Sequence, residues 1–225
     1  MARSLMKRAL EKRAWNSTHH RKKNTKKANF VIRDEYMVKA KKAWYRARSI
    51  YKLLELQERF DLISPNHKVI DVWCAPWSFL QAIRNIVREK PILWIDLKPV
   101  VPFSYPNVKT IVHDIFEFQT LKPRVREVFS DEKVDVITSD IWPNTTWIKD
   151  VDQYASVELN LAICEFSDEF LKQWWSMILK VFKWSDFNDL LMACKKRFYS
   201  VSEYKPLACR ESSFEVYLVC KQKKR

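Results

Sequence analysis

Glycine is absent from this sequence of 225 residues. An average chain has about 7% glycine, which would be about 16 residues here. Tryptophan occurs ten times, and several copies stand where a turn is expected: Trp73 and Trp77 follow a strand-like run, and Trp174 and Trp175 lie between a helical and a strand-like run. Such turns favour a residue that tolerates positive φ or a close backbone approach, which is the role of glycine. We interpret these positions as glycine in the working protein, either through a UGA codon read as glycine or through deliberate replacement.

Long apolar runs are also missing. No run approaches the roughly 18 residues that a membrane-spanning helix needs, which argues against an integral membrane protein. The charged amino terminus lacks the apolar segment of a secretory signal. Because 47% of the residues are hydrophobic and 14% are aromatic, the chain can bury a full core, and this composition excludes global disorder.

The cysteines show no pairing pattern. There are five of them, an odd number, and no two form a C-x-x-C pair. This spacing argues against a disulfide framework and against a zinc site, and the four histidines add no ligand spacing. We therefore expect no metal, and the cysteine usage fits a reducing cytoplasm.

Positive charge is concentrated at the start of the chain. Residues 1–50 hold 16 Lys and Arg against 3 Asp and Glu, while the other 175 residues hold 25 against 24. We interpret residues 1–33 as a flexible basic arm and residues 34–225 as one folded domain. The density of the charge favours a polyanionic partner over a merely solvated tail. Nucleic acid is favoured over a membrane surface, because no apolar stripe accompanies the charge.

Beyond the arm, a helical pattern over 34–60 is followed by apolar runs that alternate with amphipathic stretches. The runs predict five strands, at 67–72, 92–96, 108–113, 134–139 and 177–182. Helices are predicted near 79–89, 116–129, 152–172 and 186–198, and two last strand-like segments, 199–205 and 214–220, can pair antiparallel. This alternation predicts an α/β fold: a mostly parallel seven-stranded sheet with helices on both faces and a C-terminal antiparallel strand pair.

Four successive predicted strands end in or next to an aspartate, namely Asp71, Asp96, Asp114 and Asp140. The carboxyl ends of parallel strands meet at one crevice, where ligands bind. One such aspartate is more often a helix N-cap than a ligand, but four in succession favour a ligand site. An acid after the second strand is well placed to accept hydrogen bonds from a ribose, and the turn over 71–77 would hold the rest of a cofactor.

Lys180 stands inside the apolar run 177–182, which otherwise has the pattern of a buried strand. Burying a lysine is costly unless its charge is paired or its proton is lost. A desolvated lysine near another cation gives up its proton more easily and can act as a general base. The alternative is a lysine at the strand's edge that extends to solvent.

Several motifs follow one another in the order and spacing of a known family. They are Arg33-Asp34-Glu35-Tyr36, Tyr45-Arg46-Ala47-Arg48-Ser49 with Tyr51-Lys52-Leu53, Asp71-Val72-Trp73-Cys74-Ala75-Pro76-Trp77, Ser139-Asp140-Ile141-Trp142-Pro143-Asn144, Leu179-Lys180-Val181-Phe182 and Glu215-Val216-Tyr217-Leu218-Val219. Together they resemble the FtsJ/RrmJ-type ribosomal RNA 2′-O-ribose methyltransferases, over about residues 29–221. The resemblance implies a Rossmann-like fold that binds S-adenosylmethionine (SAM).

The resemblance also implies a Lys-Asp-Lys-Glu active site, which falls on Lys52, Asp140, Lys180 and Glu215. We expect Lys180 to be the base and Asp140 to orient it. The implied cofactor-binding positions are Asp71, Trp73, Trp77, Phe79, Asp96, Asp114 and Asp140. We expect the basic arm to hold RNA phosphates together with Arg46, Arg48 and Lys52.

Eight tryptophans fall where this family typically has glycine: Trp44, Trp73, Trp77, Trp94, Trp147, Trp174, Trp175 and Trp184. This match supports the glycine interpretation independently of turn geometry. Trp77 stands at a position where the backbone approaches the cofactor, so a real tryptophan there would block binding. Phe79 stands where the family often has tryptophan, which is a tolerable aromatic exchange.

The expected activity is SAM-dependent 2′-O-methylation of ribosomal RNA, at a uridine of the 23S RNA in the large subunit, by a cytoplasmic monomer. The same site also suits transfer RNA or messenger caps. An inactive RNA-binding or ribosome-assembly module is favoured by the tryptophans of the cofactor turn and disfavoured by the intact Lys-Asp-Lys-Glu set. A nicotinamide-dependent oxidoreductase is disfavoured, because the first turn lacks the dinucleotide fingerprint even with glycine at 73 and 77.

Overall fold

The computed structural model of the chain describes residues 35–72, 78–99, 105–141, 149–183, 187–210 and 213–225. The predicted basic arm, residues 1–33, lies outside these residues, so its flexibility stays a prediction. In chain order the elements are α1 Glu35–Lys42, α2 Ile50–Phe60, β1 Val69–Val72, α3 Ser78–Ile86, β2 Ile92–Asp96, β3 Val108–Val112, α4 Phe118–Phe129, β4 Val134–Ser139, α5 Lys149–Phe170, β5 Leu171–Phe182, α6 Phe187–Arg197, β6 Phe198–Tyr204 and β7 Glu215–Lys223.

The strands form one seven-stranded sheet in the order β3-β2-β1-β4-β5-β7-β6. The first five are parallel to one another, while β7 is antiparallel to both β5 and β6. The predicted fold class is therefore confirmed, including the C-terminal antiparallel pair. The parallel arrangement places the carboxyl ends of β1, β2, β3, β4 and β5 along one edge of the sheet.

The sheet separates two apolar cores, which explains why its central strands are buried throughout. Buried residues of α4, α5 and α6 pack against one face of the sheet. Buried residues of α2 and α3 pack against the other face. Along β5 the residues alternate between the cores: Leu179 and Val181 belong to the first, and Ile178 belongs to the second. Among the described residues, no helix is long and apolar enough to cross a lipid bilayer.

Two features differ from the sequence-based expectation. The helical pattern over 34–60 is two helices, α1 and α2, because the chain breaks after Lys42 and restarts at Ile50. Strand β5 begins at Leu171 rather than near 177, and its register with β4 shifts between Val134 and Val136. The tryptophan pair expected at a corner between helix and strand thus lies inside the irregular first part of β5.

Trp44 and Trp174 adopt left-handed backbone conformations, with φ of 59° and 72°. For a bulky residue this region is a true outlier, because Cβ crowds the backbone there, and glycine avoids the cost. Both side chains are exposed, Trp44 to 91% and Trp174 to 58%, so neither conformation is explained by burial of the indole. The backbone therefore supports the interpretation of these two positions as glycine.

Replacing Trp44 with glycine is expected to stabilise the protein by about 1 kcal/mol, since the left-handed cost of roughly 1–2 kcal/mol is removed and little packing is lost. Trp44→Ala is the control, because alanine keeps Cβ and hence the cost. Urea unfolding of the three proteins measures the difference. Equal stability of the glycine and alanine variants would show that position 44 has no preference for glycine.

Candidate active site

Lys180 and Asp140 form the centre of a buried polar cluster at the carboxyl edge of the sheet. Asp140 follows the last residue of β4, and Lys180 lies near the end of the neighbouring β5. The Lys180 Nζ donates to the Asp140 backbone oxygen at 2.7 Å and lies 3.0 Å from Asp140 Oδ1. Lys180 is 3% exposed, so the alternative of a solvent-directed lysine is wrong.

A second buried ion pair joins α2 to β7. The Lys52 Nζ lies 2.6 Å from Glu215 Oε1, and both residues are buried. Lys52 lies in the first turn of α2, while Glu215 is the first residue of β7 and pairs with Phe182 of β5. The four residues of the implied Lys-Asp-Lys-Glu set thus lie in two buried ion pairs, and each pair joins separate elements.

Tyr217 connects the cluster and was missed in the sequence. Its hydroxyl donates to Asp140 Oδ1 at 2.7 Å, the same oxygen that Lys180 approaches. In the β5–β7 register, Tyr217 stands directly opposite Lys180. The signal was present: a tyrosine two residues after Glu215 shares its face of the strand, and a fully buried tyrosine needs a partner for its hydroxyl.

The electrostatics of Tyr217 and Cys209 show that the two pairs share one site. Burial raises the pKa of Tyr217 well above its ordinary value, and the Asp140 and Glu215 carboxylates raise it further. Burial likewise raises the pKa of Cys209 to about 12; Glu215 adds to this effect and Lys52 opposes it. Tyr217 therefore stays protonated as a hydrogen-bond donor, and Cys209 stays a neutral thiol.

Cys209 is expected to resist thiol reagents in the native protein, because the thiolate is the reactive form. With a pKa of about 12, roughly one molecule in ten thousand carries the thiolate at pH 8. Labelling with iodoacetamide, followed by peptide mass spectrometry, should show modification at Cys209 at least about 10³-fold slower than in urea. Comparable rates in the two conditions would contradict the buried, acid-flanked environment.

Asp96 and Asp114 lie where the carboxyl ends of β2 and β3 were expected to offer acceptors. Asp96 is the last residue of β2 and is 3% exposed, while Asp114 follows β3 and is half-buried. Each accepts a hydrogen bond on Oδ1 from the backbone two residues on: Asp96 from Lys98 N at 2.9 Å and Asp114 from Phe116 N at 3.0 Å. These short turns fix both carboxyl groups at the edge that the polar cluster occupies.

Asp71 and Phe79 lie deeper than the sequence suggested. Asp71 is inside β1 and wholly buried, and the Thr138 hydroxyl of β4 donates to its Oδ1 at 2.5 Å. Phe79, also wholly buried, stacks on Tyr217 with ring centroids 6.1 Å apart. Asp71 thus joins two strands, and Phe79 joins the start of α3 to Tyr217. The expected contact of both residues with the cofactor stays a prediction. Trp73 and Trp77 lie outside the described residues.

The predicted RNA contacts divide into two groups. Arg46 is exposed and Arg48 half-buried, in the segment between α1 and α2. This segment is held to α3, since Arg46 N donates to Gln81 Oε1 at 2.8 Å. Lys52, in contrast, is 6% exposed and paired with Glu215, so it belongs to the buried cluster and does not lie on the surface that would meet a phosphate.

Named relatives match most of the chain. Ribosomal RNA large subunit methyltransferase E of Methanocaldococcus jannaschii is 38% identical over 193 residues, 84% of this chain and 78% of the relative. The protein of the same name from Desulfatibacillum aliphaticivorans is 36% identical over 206 residues, 90% of this chain and 96% of the relative. A Plasmodium falciparum protein described as a ribosomal RNA methyltransferase has a solved structure that is 31% identical; it covers 80% of this chain and 98% of its own, with a TM-score of 0.70.

The family assignment rests on sequence and fold together. The profile of the FtsJ-like methyltransferases matches residues 45–223, which include both Lys–acid pairs. The expectation of a methyltransferase, set against a nicotinamide-dependent oxidoreductase, is confirmed. The chain belongs to the FtsJ-like methyltransferase family.

Proposed function

We propose that the protein transfers a methyl group from SAM to the 2′-hydroxyl of a ribose in ribosomal RNA, with Lys180 as the general base. The observation that carries the proposal is the buried contact of Lys180 with Asp140, beside the Lys52–Glu215 pair and Tyr217. The relatives named ribosomal RNA large subunit methyltransferase E support ribosomal RNA as the substrate. The family resemblance implies a uridine of the large-subunit RNA, and the cysteine usage fits a place of action in the cytoplasm.

Lys180 is the group best placed to take a proton in a water-poor site. Its Nζ is held between the backbone oxygen and the carboxylate of Asp140, so its position is set before substrate arrives. In its neutral form the amine accepts the proton of the attacking hydroxyl. The ammonium that results is stabilised by Asp140, whose carboxylate Tyr217 holds in place through its own hydrogen bond.

Lys52 and Glu215 have a complementary role beside the base. Their pair is buried, so the interaction of each with the neighbouring groups is stronger than it would be in water. The Lys52 ammonium places a positive charge next to the cluster, and a hydroxyl that loses its proton there gains favourable electrostatics. Glu215 balances that charge and fixes its direction.

The acceptor groups at the sheet edge suit SAM. Asp96 is the last residue of β2 and Asp114 follows β3 by two residues, at the edge of the sheet where acceptors meet the hydroxyl and amino groups of a nucleoside. Asp140 adds negative charge, which suits a ligand that carries a sulfonium and an ammonium. SAM supplies an electrophilic methyl group; its transfer to the ribose oxygen leaves S-adenosylhomocysteine, and Lys180 holds the displaced proton.

Arg46 and Arg48 provide the RNA surface within the described residues, and α1 adds Lys39, Lys41 and Lys42 beside them. Replacing both arginines with alanine should weaken RNA binding uniformly across sequences. The dependence of the RNA association constant on salt should become shallower. The negative slope of its logarithm against log salt concentration should lose about 0.7 to 0.9 in magnitude per lost phosphate contact. The exposed Lys109 on edge strand β3 is the control, and an equal effect of Lys109→Ala on the slope would show that no specific surface is involved.

The test is transfer of radiolabelled methyl from SAM to unmodified ribosomal RNA, to transfer RNA and to capped messenger RNA by a form with glycine at the ten tryptophan positions, followed by nucleoside analysis. The proposal predicts label in a 2′-O-methyl nucleoside of large-subunit RNA. Label on a base, or on transfer RNA or caps alone, would overturn the proposed reaction or its substrate. RNA binding without transfer to any of the three would favour the inactive module.

A further inference from the structure

Asn160 is a buried polar residue on the side of the sheet opposite the reacting groups. It lies in α5, where its neighbours Leu159 and Ile163 belong to the apolar core, and it is itself 0% exposed. Its Nδ2 donates to the Lys180 backbone oxygen at 2.9 Å and to the Ser156 backbone oxygen at 2.8 Å. It thus connects α5 directly to the backbone of Lys180.

The rest of the Asn160 side chain contributes little to stability. Within the part of the chain that the structure describes, Asn160 Oδ1 has no hydrogen-bond partner, and neither has the Oγ of Ser156 one turn away. A buried polar atom without a partner costs free energy, so an apolar residue would suit this helix face better. The amide is therefore present for its donor rather than for packing.

The Asn160 amide donates to Lys180 at a position where only one of the two neighbouring strands still pairs with β5. The register between β4 and β5 ends at Ser139 and Leu179, one residue before Lys180, because the chain leaves β4 at Asp140. On the other side, Lys180 pairs with Tyr217 of β7. Asn160 supplies a hydrogen bond to Lys180 at the point where the strand partner ends.

We infer that Asn160 is a positioning residue for Lys180, an inference that rests on the proposed function. Asn160 holds the backbone of Lys180, while Asp140 holds its Nζ. These two contacts fix the backbone and the amine of Lys180, so they keep the amine in position to accept the proton. Because a displacement of about 1 Å can cost two orders of magnitude in rate, loss of one contact is expected to reduce kcat.

The test compares Asn160→Leu, of similar branched shape, and Asn160→Ala with Ser167→Ala, each made in a parent that has glycine at the ten tryptophan positions. Ser167 is a matched control, because it is equally buried in α5 and its hydroxyl donates to the Cys164 backbone oxygen at 2.7 Å, away from Lys180. We expect kcat to fall about 10-fold in the Asn160 variants, with KM for SAM and RNA within twofold of the parent. Ser167→Ala should leave kcat within twofold.

A second readout does not depend on activity. Amine acetylation of Lys180, followed by peptide mass spectrometry, should be several times faster in Asn160→Leu than in the parent or in Ser167→Ala, because a released lysine reaches reagent more often. Unchanged labelling, an unchanged kcat, or an equal fall of kcat in Ser167→Ala would overturn the role of Asn160. If the parent transfers no methyl at all, the proposed function fails, and the labelling still decides whether Asn160 holds Lys180.

Discussion

In a form with glycine at the ten tryptophan positions, Lys180→Ala is expected to lower methyl transfer by about 10²- to 10⁴-fold while SAM binding is retained, because the variant removes the proton acceptor and leaves the strand-end carboxylates in place. Asp140 and Tyr217 remain to hold each other through their hydrogen bond, so the loss is confined to the reacting group. Single-turnover transfer measures the chemical step, and calorimetry measures SAM binding. Transfer by Lys180→Ala at the parent rate would eliminate Lys180 as the base.

Lys180→Arg separates charge from proton transfer. Arginine keeps a positive charge beside Asp140 but does not release its proton in a protein, so it cannot act as a base. We expect Lys180→Arg to be about as inactive as the alanine variant. The control is Lys183→Ala, three residues along, where the lysine is exposed and pairs with Glu203; its activity should match that of the parent.

Breaking the Lys52–Glu215 pair at one end is expected to cost about 3–5 kcal/mol of unfolding free energy, because it leaves one buried charge without its counterpart. Lys52→Met and Glu215→Leu are the single variants, and urea unfolding measures their stability. The double variant should recover much of the loss, since a buried ion pair and an apolar pair of similar volume often have similar stability. A double variant that loses the sum of the two single losses would contradict this coupling.

The exposed pair Lys183–Glu203 is the comparison for this cycle. Lys183→Met should change stability by less than about 1 kcal/mol, because water and salt screen an exposed pair. Activity separates a catalytic role of the pair from a purely structural one. Every variant that lacks Lys52 should transfer methyl more slowly than the parent, even where stability is recovered. Full activity of the double variant would show that the pair serves the fold alone.

Much of the fold could be predicted because its signals are local. The strand runs around Ile70 and Val136 are short, apolar and bounded by polar residues, and the Lys-Asp-Lys-Glu set followed from motif resemblance. The break between α1 and α2 could not be predicted, because the alanines and lysines before Trp44 continue a helical pattern. The early start of β5 could not be predicted either. Its register with β4 is irregular there, so the sequence shows no regular alternation of apolar and polar residues.

The contacts that assemble the site depend on the tertiary structure. Tyr217 faces Lys180 only through the β5–β7 register, and Asn160 reaches the Lys180 backbone only because α5 crosses behind that strand. The spacing places Tyr217 on the same strand face as Glu215 but does not reveal its pairing with Lys180, and nothing in the spacing marks the contact of Asn160. The hydrogen bond from Thr138 to Asp71 likewise depends on the register of β1 with β4, and the expected contact of Asp71 with the cofactor stays a prediction.

The most direct test of the proposed reaction is methyl transfer from labelled SAM to unmodified large ribosomal subunits, by the chain as written and by a form with glycine at the ten tryptophan positions. We expect the glycine form to place label in a 2′-O-methyl nucleoside and the written form to be far less active, because Trp77 would obstruct the cofactor. Lys180→Ala in the glycine form should lower the signal by about 10²- to 10⁴-fold. Failure of both forms to transfer methyl, while both bind ribosomal RNA, would contradict the assignment of a working 2′-O-methyltransferase.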